Sequence, residues 1–228
     1  KLSGALGAMG VAFGLAGVIR NVTGTIISFD QATADLAAIS GKSKEELAGL
    51  NEQAKKLGAT SQFTSTEITQ MQIELAKLGF TTQQISESTE AVSNFAAATG
   101  ADMASAAKVA GGALRGFNLD ASEMERVVSV LGVATTKSAL DFQAYETSLS
   151  KIAPVANAFG FSIEDTTALL GQLANAGFDA SSAATATRNI LLKMADSGGD
   201  LAVALGRPVK SADDLAEGLQ QLQADGID

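Results

Sequence analysis

The chain has 228 residues, 16 of them basic and 25 acidic, with no cysteine and no histidine. That length can bury a sizeable core in one or two domains, while disulfides, thiolate metal sites, the commonest general base and the commonest zinc ligand are all missing. A formal charge of −9 makes a poor partner for phosphate backbones, so direct nucleic-acid binding is not expected.

The chain opens on Lys1 and closes on Gly226-Ile227-Asp228, and it reads as a segment of a longer protein. From Leu2 to Ile19 no residue is charged, Lys1 and Arg20 bracket the stretch, and Asn21 to Phe29 is again uncharged. As a helix, residues 2–19 would nearly span a bilayer core. Gly10 and Gly14 form a GxxxG pair, and Gly7 and Gly17 add small contact points. Two readings stay open for residues 1–29: a membrane-active helix, or a hydrophobic Gly-rich helix buried in a helical assembly. Each helical glycine costs ~1 kcal/mol, so both readings require a closely packed neighbour.

Residues 30–197 repeat one local pattern and are read as a helical domain. An apolar period of three to four residues runs for several turns, a glycine ends it, and a Phe with a short polar residue starts the next helix. Ile68, Met71, Leu75 and Leu78 form one stripe, closed by Gly79. Phe80 and Thr81 then lead into Ile85, Val92 and Phe95. Gly160-Phe161-Ser162 and Gly177-Phe178-Asp179 repeat the turn, and Gly116-Phe117, with Asp120 as cap, is a looser copy. Further stripes are Met103, Ala107, Ala110 and Leu114, then Met124, Val127, Val128 and Leu131. The longest runs from Phe142 through Tyr145, Leu149, Ile152 and Ala156 to Phe159, with a kink or break expected near Ala153 because Pro154 follows. Arg188, Ile190, Leu191 and Met194 make the last stripe of this region.

Ser43 with Glu46, Thr64 with Glu67 and Thr81 with Gln84 fit the capping box, and Asp120 with Glu123 and Ser162 with Asp165 are near-variants. Phe63 and Phe80 are placed to staple onto Ile68 and Ile85, whereas Phe178 would meet only Ala183. Glycines 58, 79, 100, 116, 160 and 177 are read as helix boundaries, which gives helix pairs of about forty residues stacked in order. Residues 198–228 are read as a linker and the start of a further helical segment, with Leu215, Leu219 and Leu222 as its stripe. Strand signals are nearly absent. The fold class is therefore all-α, with consecutive short amphipathic helices packed as hairpins.

No site chemistry emerges. No GxSxG and no phosphate-binding loop occurs, and without histidine no Ser-His pair is possible. The carboxylate pairs Glu45-Glu46, Glu164-Asp165 and Asp213-Asp214 fall in predicted first helical turns, where negative charge complements the helix dipole; a pair across a cleft is what a glycosidase would need. Catalytic, cofactor and metal residues are none, and no enzyme is expected.

Two stretches carry a family resemblance. LGATSQFTSTEITQMQIELAKLGFTTQQI spans residues 57–85, and KIAPVANAFGFSIEDTTALLGQLANAGFDASSAATATRNIL spans 151–191. With the IAPVAN-FG and LANAG segments, and Ser181, Ala183, Thr185 and Arg188 in an S-x-A-x-T-x-x-R run, residues 29–195 resemble the core of the phage tail tape measure family. Ala180 and Ala184 stand where glycines are expected, and Thr187 where a larger apolar residue is expected. The resemblance implies a structural protein in the lumen of the phage tail, in several copies, that sets tube length and leaves ahead of the DNA. The implied partners are the tail tube protein, tail assembly chaperones and tip or baseplate proteins, with host membrane contact through residues 2–27 as the alternative role.

Overall fold

The computed structural model describes residues 26–196, 198–209 and 211–224, and helix is the only regular structure among them. Of the expected Gly-rich helix at residues 1–29, only 26–29 fall within that range, and they begin α1 (residues 26–40). The long helices that follow are α2 (Ala48–Thr60), α3 (Ser65–Lys77), α4 (Thr82–Thr99), α5 (Met103–Gly116), α6 (Met124–Lys137), α7 (Phe142–Ala158), α8 (Ile163–Asn175) and α9 (Ala180–Ala195). A single 3-10 turn, Ala121–Glu123, leads into α6, and α10 (Asp200–Leu205) and α11 (Ala212–Ala224) come last.

Helices two apart in sequence pack side by side. α3, α5, α7 and α9 form one row, and α4, α6 and α8 form the second. Successive helices also pair across the rows, with the exception of α6 and α7, so the expected hairpins stack in order. The predicted stripes of α3, α4, α6 and α7 face inward between the rows, where Ile68, Met71, Leu75, Ile85, Val127, Leu131 and Ile152 are each fully buried, whereas Leu219 of the stripe expected in α11 is exposed. Burial of each such side chain is worth ~1.5–3 kcal/mol, which exceeds any helix propensity in these short segments.

The turns explain why the helices end where they do. At the end of α3 the Phe80 amide donates to the Leu75 carbonyl at 3.2 Å and the Gly79 amide to Ala76 at 2.9 Å. These two bonds make the Schellman closure, which needs a left-handed residue, and Gly79 supplies it at φ +81°. The same pair of bonds closes residues 114–119, 156–161 and 173–178. In the residues 114–119 turn the left-handed residue is Asn118 (φ +53°), while α5 ends at Gly116 as expected. Gly116 is the last residue of α5, and a Cβ there would come within 2.6 Å of the Ala153 Cβ on α7. Gly58 likewise lies inside α2, where a Cβ would meet the Ser65 backbone nitrogen at 2.6 Å. Both glycines are close-approach points between helices, and Gly58 is not a helix end.

N-caps follow directly on these turns. Thr64 and Thr81 form complete capping boxes with Glu67 and Gln84. Ser162 accepts from the Asp165 amide at 3.0 Å without the return bond, and Asp120 caps the 3-10 turn through Ser122. Ser43 and Glu46 exchange both capping hydrogen bonds, but they close a turn before α2 and not its first helical turn. Asp102, Asp141 and Asp179 cap α5, α7 and α9.

Pro154 does not break its helix: α7 runs through it. Ile152, Ala153 and Ala156 are buried around it while Pro154 and Ser150, whose carbonyl loses its usual donor, are exposed residues, so core packing holds the helix. Arg188 is exposed and stands outside the Leu191 and Met194 stripe. Thr187 is fully buried with no hydrogen-bond partner for its hydroxyl, at the position where a larger apolar residue was expected. Past α9, Val209 is fully buried in the same core, and its amide donates to the Met194 carbonyl at 3.2 Å.

Candidate interaction surface

The three carboxylate pairs separate into caps and surface ion pairs. Glu46 meets Lys42 at 3.0 Å and accepts from the Ser43 amide at 2.9 Å. Glu164 takes two hydrogen bonds from Arg126, at 2.9 Å from Nε and 3.1 Å from Nη2, and Arg126 also reaches Glu123 at 2.8 Å. Burial pushes the Glu164 carboxyl up, but the Arg126 bonds and charge together with the bonds from its own backbone and Ser162 hold the group below its ordinary value. The same bonds, Glu164 first, raise the Arg126 guanidinium. Asp213 and Asp214 lie in the first turn of α11. No group of three or more acidic residues among those described is placed to hold a metal ion.

The cap aspartates are tuned in the same direction. The Ser105 hydroxyl and amide hold the Asp102 carboxyl below the usual range, and Ser182 does the same for Asp179. Each bond favours the charged form of the cap, as a carboxylate at a helix start does. Tyr145, buried in α7, has its phenol pushed up by burial, and its oxygen lies 3.1 Å from Ser138 Oγ. Gly171 on α8 leaves room for this contact, since a Cβ there would come within 3.2 Å of the phenol oxygen. The pair ties α7 to the segment after α6 and forms the floor of a groove.

What remains is surface. α4 and α6 frame a groove of about 800 Å³ with Ala91, Phe95 and Val128 along its apolar floor and Glu87, Glu90 and Glu125 on its rim. α6 and α8 frame a second groove of about 560 Å³, which includes Tyr145 and Gly171. Val133 borders both and is 61% exposed. The sequence reading singled out none of Glu87, Glu90, Glu125 or Val133. A signal existed for one of them: nine residues after Met124, Val133 falls on the helix face opposite the Met124, Val127 and Leu131 stripe. Nothing local marks the three glutamates, because α4 and α6 come together only through the stacking of hairpins.

No solved structure matches the chain. The chain is 33% identical over 158 residues to a protein named "Tape measure protein" from Pneumococcus phage Dp-1, an alignment covering 69% of this chain and 14% of that protein. It is 31% identical over 193 residues to a "Probable tape measure protein" from Escherichia phage P2, covering 83% of this chain and 24% of that protein. It therefore spans about a seventh and a quarter of the lengths of these two relatives. The family profile described as "Phage-related minor tail protein" matches residues 51–225, most of the stacked array from α2 into α11. The chain belongs to the phage-related minor tail protein family.

Proposed function

We propose that this chain is the folded core of a phage tail tape measure protein, a structural component and not an enzyme. In this reading several copies of the whole protein lie along the tail axis in the lumen of the virion tail. Tube subunits polymerise around them, chain length limits tube length, and the protein leaves ahead of the DNA on infection. The tube protein, tail assembly chaperones and tip or baseplate proteins are its partners, with no direct nucleic-acid contact. The observation that carries the reading is the alignment of 69% and 83% of the chain with two proteins named as tape measure proteins.

The helical array narrows the role of this segment. One continuous helix of this length would measure ~340 Å, whereas a compact domain has a radius of gyration of ~17 Å. Short helices closed by Schellman turns and buried on one another favour the compact form. This segment then serves docking or initiation, and other parts of the protein do the measuring. In-frame deletion of residues 30–197 from the phage gene tests this by electron microscopy of the particles. The expected result is failure of tail assembly; intact tails shortened in proportion would place the measuring here instead. Scattering from the segment should give ~17 Å, and a rod would refute the docking role.

The uncharged stretch Leu2–Ile19 motivates a second reading, a membrane-inserting or pore-forming helix that aids genome delivery. Among the described residues no helix is long and apolar enough to cross a membrane, so this role would rest on residues 2–27. Liposome leakage that is the same with and without residues 1–29 would sink it.

A further inference from the structure

We propose that the groove between α4 and α6 is a docking site for a cationic amphipathic helix of another protein. Its floor is apolar and shallow-walled: Ala91, Phe95 and Val128 line it, and Gly132 and the exposed Val133 form one lip. Its rim is acidic at one end, because Glu87 and Glu90 sit in the N-terminal half of α4 and Glu125 in the first turn of α6. No lysine or arginine lines the groove. Six glutamates elsewhere have a Lys or Arg nitrogen within 3.1 Å, whereas no ion pair among the described residues engages Glu87, Glu90 or Glu125, as is also true of Glu45, Glu67 and Glu146; Glu87 accepts only the neutral Gln83 amide at 2.9 Å.

An apolar floor with three uncompensated carboxylates at one end selects its occupant. A helix that fits has a ridge of small and aliphatic residues, with lysines or arginines gathered toward one terminus. A second copy of this chain is disfavoured, since each copy carries a formal charge of −9. α4 has 18 residues, which sets an occupant of about five turns.

Fluorescence anisotropy with the full 228-residue chain tests the proposal. The probe is a labelled Leu/Ala helix of ~18 residues with its lysines at one end, compared with a scrambled peptide of equal charge. The scrambled peptide should bind at least ~10-fold more weakly. Glu87→Gln, Glu90→Gln and Glu125→Gln together should weaken the ordered peptide ~10-fold at low salt and flatten its salt dependence. Val133→Ser should weaken it several-fold at any salt, with the helical circular dichroism unchanged in all variants. Equal binding of the scrambled peptide, or unchanged binding by both variants, overturns the proposal. A dimer of the chain in sedimentation that Val133→Ser dissolves would assign the groove to a second copy and overturn it as well.

Discussion

The turns at Gly160-Phe161-Ser162 and Gly177-Phe178-Asp179 are built from the same parts and end up in opposite environments. In each, the Phe amide reaches back to the carbonyl five residues earlier, at 2.9 Å for Phe161 and 3.1 Å for Phe178. Each places its glycine in the left-handed region, at φ +78° and +95°, and each passes straight to an N-cap. Yet Phe161 is 4% exposed and Phe178 45%. Phe161 enters α8 inside the stack. Phe178 enters α9, which ends the row of long helices and is followed by the six-residue α10. Backbone closure and side-chain burial are thus separate properties of one motif: the first is decided within six residues, the second by what stacks alongside.

The largest expected effect sharpens this difference. Phe161→Ala should lower unfolding free energy by ~3–5 kcal/mol in denaturant titration; a loss as small as that of an exposed site would mean that the turn is not part of the core. Gly160→Ala and Gly177→Ala should each cost ~1–2 kcal/mol, and equally, because both demand a left-handed backbone whatever the burial of the next residue. Unequal losses would break the claim that the closures are equivalent. Ser162→Ala should cost ~1 kcal/mol at any pH.

The other cap carries a charge and so responds to acid. The Ser182 hydroxyl and amide keep the Asp179 carboxyl lower in the folded chain than in the unfolded one. Its contribution is complete above the unfolded value near 3.8 and is lost as pH falls through the folded one. The difference in melting temperature between the wild-type chain and Asp179→Ala should therefore shrink in strong acid, while that of Ser162→Ala stays constant. With no histidine in the chain, stability should stay flat between about pH 5 and 8. The smallest effect belongs to Phe178→Ser, within ~0.5 kcal/mol.

Much of this organisation was legible in the residues. The stripes through Met71, Leu114, Leu131 and Ile152 are buried as their spacing requires, and the Thr64 and Thr81 boxes form as written. The errors share one cause. Gly58 reads as a helix end because glycine commonly is one; it lies inside α2, at a place where another helix comes too close for a Cβ. Of the kink or break expected near Ala153, the break does not occur, because the local rule omits the burial of Ile152 and Ala156 on the same helix. The candidate groove was illegible for a related reason, since Glu90 and Glu125 belong to separate hairpins.

Sequence alone determined the helices, their caps and the hand of their turns, because those depend on hydrogen bonds and apolar spacing within a few residues. Only the tertiary structure decided which phenylalanine is core, which glycine is a contact and where three glutamates share a rim. Those outcomes depend on residues tens of positions apart, which meet only once α4, α6 and α8 lie in one row.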